Sequence, residues 1–172
     1  MDITQVIGDS EAVFAPLLAH LSDCGLSIHG LPVDHVAYRV ETTDRYVSMH
    51  AALLRFSNGL SVTRHGGRQI STFRLSTPIH LAGIPVPLVE LPAPKVGSPY
   101  PEGLEHIEVV VADNFVGFVQ AHASIWTGID LDDEFNPTAH ITTGGLTAKF
   151  HPRPLDDVIA LQGGYFTVVS PA

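Results

Sequence analysis

The stretch VDHVAYRV at Val33–Val40 decides the fold, because its pattern returns as LEHIEVVV at Leu104–Val111. Each copy contains an acid, then a histidine, then a largely apolar run, and the histidines are residues 35 and 106, 71 positions apart. A period a little under half the chain indicates one duplicated module rather than a solenoid of short repeats. We therefore predict two related units, each beginning with an acid–histidine strand.

The residues after the first acid–histidine strand predict a β-α-β-β-β unit. Strand alternation places His35, Ala37 and Arg39 on one face, and Thr42-Thr43-Asp44 is a helix-start signal. The predicted elements are a helix over Arg45–Phe56 closed by Asn58-Gly59, strands over Leu60–Arg64 and Gln69–Leu75 joined by a hairpin turn at His65–Arg68, and further strand over Pro78–Leu91 interrupted at Gly83.

The second unit is predicted to repeat this order. Its elements are a strand opening at His106, a helix over Phe115–Ile125 capped by Ala112-Asp113-Asn114, and a short strand over Ile129–Phe135. A hairpin of Thr138–Thr142 with Leu146–His151 follows. Outside the units we expect a helix over Ala12–Ser22, a short helix over Leu155–Leu161 and an apolar segment over Tyr165–Val169. The predicted fold is α+β, two paired βαβββ modules whose sheets curl around a central cleft, with an N-terminal helix.

We expect one domain over residues 1–172. It divides into a helical leader (1–30), a first module (31–91), a proline-rich linker (92–103), a second module (104–154) and a C-terminal tail (155–172). Four prolines in the linker exclude both helix and central strand there.

Composition limits the classes of function. The formal net charge is −9 with only nine Lys and Arg, which argues against nucleic acid as a partner. No apolar run approaches the roughly 20 residues that span a bilayer, and no basic region precedes the first apolar stretch as in a signal peptide. The single cysteine excludes an internal disulfide and suits a reducing compartment. We expect a soluble, cytoplasmic protein with a small-molecule substrate and no membrane partner.

The repeated histidines suggest a metal site. If the units pair about a pseudo-twofold axis, the imidazoles of His35 and His106 converge, and a further ligand is expected on the last strand of each unit. The first unit offers Glu90, a carboxylate that would be costly in its apolar run unless a positive charge meets it. The second offers Lys149 and His151, which share a strand face. Two histidines and one carboxylate can hold Fe(II), Mn(II), Zn(II) or Ni(II) with positions left open for substrate.

Other polar residues have weaker claims. Asp34, Glu105 and Glu108 are expected to be solvated or to support the ligands rather than to bind the metal. Asp34 and Glu105 would orient the histidines only if the adjacent backbone turns them inward. Arg39 could anchor an anionic substrate or be an ordinary exposed strand residue, and Lys149 is similar.

Several blocks of this sequence resemble a known family. A βαβββ unit used twice, with ligands on its first and last strands, is similar to the vicinal-oxygen-chelate superfamily, which includes glyoxalase I, extradiol dioxygenases and bleomycin-resistance proteins. Within it the chain most resembles the YecM family, from about Leu31 to Ile159. The matching blocks are Asp34–Val36, Leu88–Pro92, Tyr100–Glu108, Asn136–Thr138 and Lys149–Pro152.

The resemblance implies a divalent metal held by His35, Glu90 and His106. The superfamily's usual last ligand is a glutamate on the eighth strand, where this chain has Lys149 and His151. A protonated lysine has no lone pair to offer a metal. Lys149 would then hold a substrate anion, or His151 would bind the metal, or the protein would supply three ligands.

Two functions are compatible with these expectations. The first is a metal-dependent isomerase, lyase or dioxygenase acting on a small oxygen-chelating substrate, with Lys149 and Arg39 anchoring the substrate or moving protons. The second is a non-catalytic protein that sequesters a small molecule, as in the bleomycin-resistance branch. Either could be a monomer or a homodimer, since both modules lie in one chain.

Overall fold

The computed structural model describes residues 2–95, 97 and 100–170; Val96, Ser98 and Pro99 of the predicted linker lie outside the described residues. The helices are α1 Thr4–Ile7, α2 Ser10–Asp23, α3 Thr43–Leu54, α4 Phe115–Ala121 and α5 Leu155–Leu161. The strands are β1 Val33–Arg39, β2 Ser57–His65, β3 Arg68–Leu81, β4 Ile84–Pro92, β5 Gly103–Val110, β6 Gly128–Asp130, β7 Thr138–Thr143, β8 Leu146–His151 and β9 Thr167–Val168. Among the described residues, none of the helices is long and apolar enough to cross a membrane.

All nine strands form one mixed sheet in the order β6-β7-β8-β5-β1-β4-β3-β2-β9. The two acid–histidine strands, β1 and β5, are adjacent and antiparallel at its centre. Each is flanked on its other side by a parallel partner, β4 for β1 and β8 for β5. The register therefore places four strands with candidate site residues side by side.

The helices are fixed by local capping and by burial of one face. The Asp9 carboxylate accepts hydrogen bonds from the first-turn backbone of α2, and the Thr42 hydroxyl does so for α3. Helix α2 buries Phe14 and Leu17 completely in the hydrophobic core, together with Phe73 of the sheet. Full burial of such side chains contributes roughly 1.5–3 kcal/mol each.

Helix α5 and its flanking segment are tied to the sheet by polar contacts. The Leu155 backbone N–H donates to Asp34 Oδ2 at 2.7 Å, and Arg74 donates to Asp156 at 2.6 Å. The Asn136 side chain in the β6–β7 loop donates to the Arg153 carbonyl at 3.0 Å. The first two contacts hold the start of α5 to the sheet, and the third joins the β6–β7 loop to the segment just before α5. Both α5 and this loop line a cavity together with the sheet.

The α+β class is confirmed, and the element order β-α-β-β-β occurs in both halves of the chain. Several local predictions were wrong, among them the exclusion of strand from the whole linker, since Pro92 ends β4 and Gly103 begins β5. Asn58-Gly59 does not end a helix but lies in β2, where Gly59 allows close approach, since a Cβ there would meet Arg74 Cβ at 3.2 Å. Residues 78–81 belong to β3, so Gly83 is a hairpin turn rather than an interruption. Helix α4 ends at Ala121, not at Ile125, and β6 is Gly128–Asp130 rather than a strand over Ile129–Phe135.

Candidate metal centre

The register of β1 and β5 brings the two repeated histidines together. His35 lies opposite Glu108, and Ala37 lies opposite His106, so the three side chains share one face of the sheet. His35 is fully buried, His106 is 2% exposed, and their ring centroids are 5.9 Å apart. The two copies of the sequence pattern therefore supply one common site.

The acid before each histidine orients its ring. Asp34 Oδ1 is 2.8 Å from His35 Nδ1, and Glu105 Oε2 is 2.9 Å from His106 Nδ1. Each acid lies at a register shift between β1 and β5, where it is an extra residue with no partner on the neighbouring strand. Such a bulge turns neighbouring side chains to one side of a strand. The backbone therefore turns these acids inward, which leaves each Nε2 for the site.

Glu108 lies between the two imidazoles. Its Oε1 is 3.5 Å from His35 Nε2 and 3.3 Å from His106 Nε2. One donor atom each from His35, His106 and Glu108 lies within 4.8 Å of the others, so the three residues could hold a metal ion. The sequence predicts a solvated or supporting role for Glu108 and not a ligand, but its side chain is only 14% exposed and lies between the two imidazoles. The His-x-Glu spacing on a single strand was the signal that could have placed it in the site.

Lys149 reaches the same carboxylate from β8. Its Nζ donates to Glu108 Oε1 at 2.9 Å and lies 3.4 Å from His106 Nε2. In the tautomer whose Nδ1–H donates to Glu105, Nε2 carries a lone pair that can accept from Lys149. A metal ion bound by His106 would use that same lone pair.

The remaining predicted residues border this cluster. Glu90 Oε2 is 4.0 Å from His35 Nε2, and the fully buried His151 places its Nε2 3.1 Å from Glu108 Oε2. Arg39 donates through Nε to Glu105 at 2.6 Å, so it supports the carboxylate that holds His106. The structure thus gathers all six predicted site residues on one face of the sheet.

The charges of the cluster reinforce one another. Burial alone would raise the pKa of Glu108, but the nearby His35 and Lys149 hold it well below its usual range. Burial likewise opposes the charged forms of His35 and Lys149, yet the carboxylate of Glu108 outweighs it and raises the pKa of both. Hydrogen bonds from His106 and Arg39 overcome burial and lower the pKa of Glu105 to about 2. The cluster is therefore a network of opposite charges.

A cavity of about 290 Å³ opens beside the cluster. Its walls include His106, Glu108, Glu90 and Lys149 at the cluster and side chains of α5 and the β6–β7 loop opposite. This volume is at the lower end for small-ligand pockets.

The residues present fit a divalent metal. His35 Nε2 is buried and has no hydrogen-bond partner among the residues that the structure describes. Such an atom is costly unless something binds it. Two imidazole nitrogens and one carboxylate oxygen form a donor set suited to Zn(II), Fe(II), Mn(II) or Ni(II). The fold and site thus define an α+β protein with a candidate metal centre under its central strands.

Comparison with known proteins supplies the family. The YecM protein family model matches residues 2–134, and the chain belongs to that family. Protein YecM of Escherichia coli (strain K12) is 27% identical over 154 residues, covering 80% of this chain and 82% of that protein. A solved structure titled "Structural Genomics, Protein EC4020" has a TM-score of 0.78 at 27% identity and covers 94% of both chains. The family resemblance expected from the sequence is confirmed.

Proposed function

We propose that this protein is a metal-dependent enzyme acting on a small oxygen-chelating substrate, as an isomerase, lyase or dioxygenase. One observation carries the proposal: two histidines at equivalent positions, each held through Nδ1 by the preceding acid, direct Nε2 at one buried carboxylate. This carboxylate–histidine arrangement is typical of metal ligands. In this proposal the two β-α-β-β-β halves are the paired modules of a vicinal-oxygen-chelate fold.

His35, His106 and Glu108 would hold the ion. Glu90 and His151 border them and are the candidates for a further ligand. A bound divalent ion would act as a Lewis acid that polarises a substrate oxygen.

The remaining chemistry falls to the side chains on the cavity wall. Lys149 supplies a positive charge next to Glu108 and could hold a substrate oxygen or carry a proton. Arg39 supplies a fixed guanidinium on the same wall. The cover formed by α5 and the β6–β7 loop would limit the access of water to a bound substrate.

A non-catalytic function, the binding and sequestration of a small molecule, is the second candidate. The Lys149–Glu108 contact favours it, because the ammonium already supplies a positive charge beside the carboxylate. Such a cluster could bind a ligand without turnover.

A cobalt(II) derivative tests the metal-enzyme proposal. The full chain, purified without a histidine tag and loaded with Co(II), should show a d–d absorption band that shifts when the bidentate oxygen chelator acetohydroxamate is added. The shift is expected because three protein ligands leave coordination positions open. A control variant, His29→Ala, should behave like the wild type because His29 is exposed and outside the cluster.

A band that acetohydroxamate leaves unchanged would mean a closed structural site and would contradict the enzyme proposal. Binding of acetohydroxamate with the same affinity to metal-free protein would instead support the sequestering function.

A further inference from the structure

We propose that the cavity contains a second subsite, formed by Arg39 and Arg68, that binds a carboxylate or phosphate group of the ligand. Such a subsite would select a small anionic ligand whose negative group lies away from Lys149. The identification of this ligand as a substrate rests on the function proposed above, whereas the anion subsite itself requires no metal.

Arg39 presents unsatisfied donors within the cavity wall. Its side chain is 11% exposed, and its Nε donates to Glu105. The guanidinium also lies over the Tyr100 ring, 4.9 Å from the ring centroid. These contacts fix the guanidinium, but its buried Nη1 has no hydrogen-bond partner among the described residues. Because arginine stays protonated, this donor remains costly until an acceptor meets it.

Arg68 lies across one strand from Arg39. Ala37, two residues before Arg39, pairs with Glu90 of β4. Pro92, two residues after Glu90, pairs on its other side with Ile70 of β3. The Arg68 side chain reaches the Ala93 carbonyl at 3.5 Å, just past the end of β4. The two arginines therefore bracket the end of this strand, and both line the cavity.

Arg68 is free to bind an anion. No carboxylate of the described part of the chain lies within 4.0 Å of it. Three acids line the cavity wall: Glu90, Glu108 and Asp133. Asp133 Oδ1 already accepts hydrogen bonds from the backbone N–H groups of residues 135 and 136. Arg68 therefore carries no ion pair with a described carboxylate, and Asp133 is held by its own loop.

Cationic side chains are concentrated at this cavity, beside the carboxylates of Glu90, Glu108 and Asp133. The chain has nine Lys and Arg at a net charge of −9, yet three of the nine line this one cavity: Arg39, Arg68 and Lys149. Paired guanidinium groups are the side chains best matched to the oxygens of carboxylate and phosphate. The hydroxyls of Thr63 and Thr72 on the same wall can add neutral hydrogen bonds.

The test uses the metal-free full chain with inorganic phosphate and malonate as separate probes. Their dissociation constants would be measured by NMR titration for the wild type, Arg68→Met and Arg64→Met. Arg64 is the matched control, since it is exposed, four residues away and absent from the cavity wall. We expect Arg68→Met to weaken the preferred probe at least about tenfold, while Arg64→Met changes it less than twofold.

Tighter binding of phosphate identifies a phosphate ligand, and tighter binding of malonate identifies a carboxylate ligand. Equal weakening by both substitutions, or no saturable binding of either probe, would overturn the subsite. Arg68→Met should retain the same metal content as the wild type. A wild type that binds phosphate but no metal would therefore contradict the proposed function and leave the subsite standing.

Discussion

His106→Ala is expected to weaken Zn(II) binding by at least about 100-fold. The substitution removes one of three clustered donors and leaves Glu105 and Glu108 without the imidazole between them. Structural zinc sites bind with roughly 10–16 kcal/mol over four ligands, so one ligand contributes about 2.5–4 kcal/mol. Competition with a chromophoric chelator measures the change.

The control for this substitution is His29→Ala, which removes an exposed imidazole on a different part of the chain. It should leave the zinc dissociation constant unchanged. Equal zinc affinity of the His106→Ala variant and the wild type would show that zinc binds somewhere other than this cluster.

Lys149→Met is expected to tighten Zn(II) binding by about 10- to 100-fold. The ammonium donates to Glu108 and lies 3.4 Å from His106 Nε2, the atom that a metal would use, so an incoming ion must displace it. At about 4 Å two unit charges repel by roughly 4 kcal/mol near a protein surface, which forces the lysine to move. Metal binding therefore loses a charge-assisted hydrogen bond of about 1.5–3 kcal/mol, which the variant does not make.

The same substitution should destabilise the metal-free protein, because the Glu108 carboxylate loses its closest cation. Urea unfolding of metal-free and zinc-loaded protein measures both effects on one variant. Lys95→Met, at an exposed position, serves as the control and should change neither quantity. Weaker zinc binding by Lys149→Met would mean that the lysine supports the bound ion rather than competing with it.

Local sequence patterns predicted much of the fold. The duplicated acid–histidine pattern located β1 and β5, and the helix signals at Thr42 and Asn114 preceded helices that begin at Thr43 and Phe115. Both ends of helix α5, Leu155 and Leu161, were predicted to the residue. Errors arose where tertiary contacts decide, as at Gly59, whose role depends on the packing of Arg74 and Phe166 rather than on turn formation.

The candidate site was harder to predict, because it depends on register. Sequence alternation could place His35 and His106 on strand faces, but only the β1–β5 pairing shows that Glu108 lies opposite His35. The inward turn of Asp34 and Glu105 depends on two bulges that no local pattern marks. The contact between Lys149 and Glu108 joins residues 41 positions apart and depends on the parallel pairing of β5 with β8.

In the proposed function, His35, His106 and Glu108 together hold one divalent metal ion. Elemental analysis of tag-free protein, reconstituted in turn with Zn(II), Fe(II), Mn(II) and Ni(II) and then dialysed, tests it most directly. Glu108→Gln is the informative variant, and Glu102→Gln is the matched control, since Glu102 pairs with the surface residue Arg45. We predict one equivalent of at least one of these metals per chain in the wild type and in the control, and its loss in Glu108→Gln. No metal in any of the three proteins, or the same metal content in all of them, would show that Glu108 and the two histidines do not hold a metal ion.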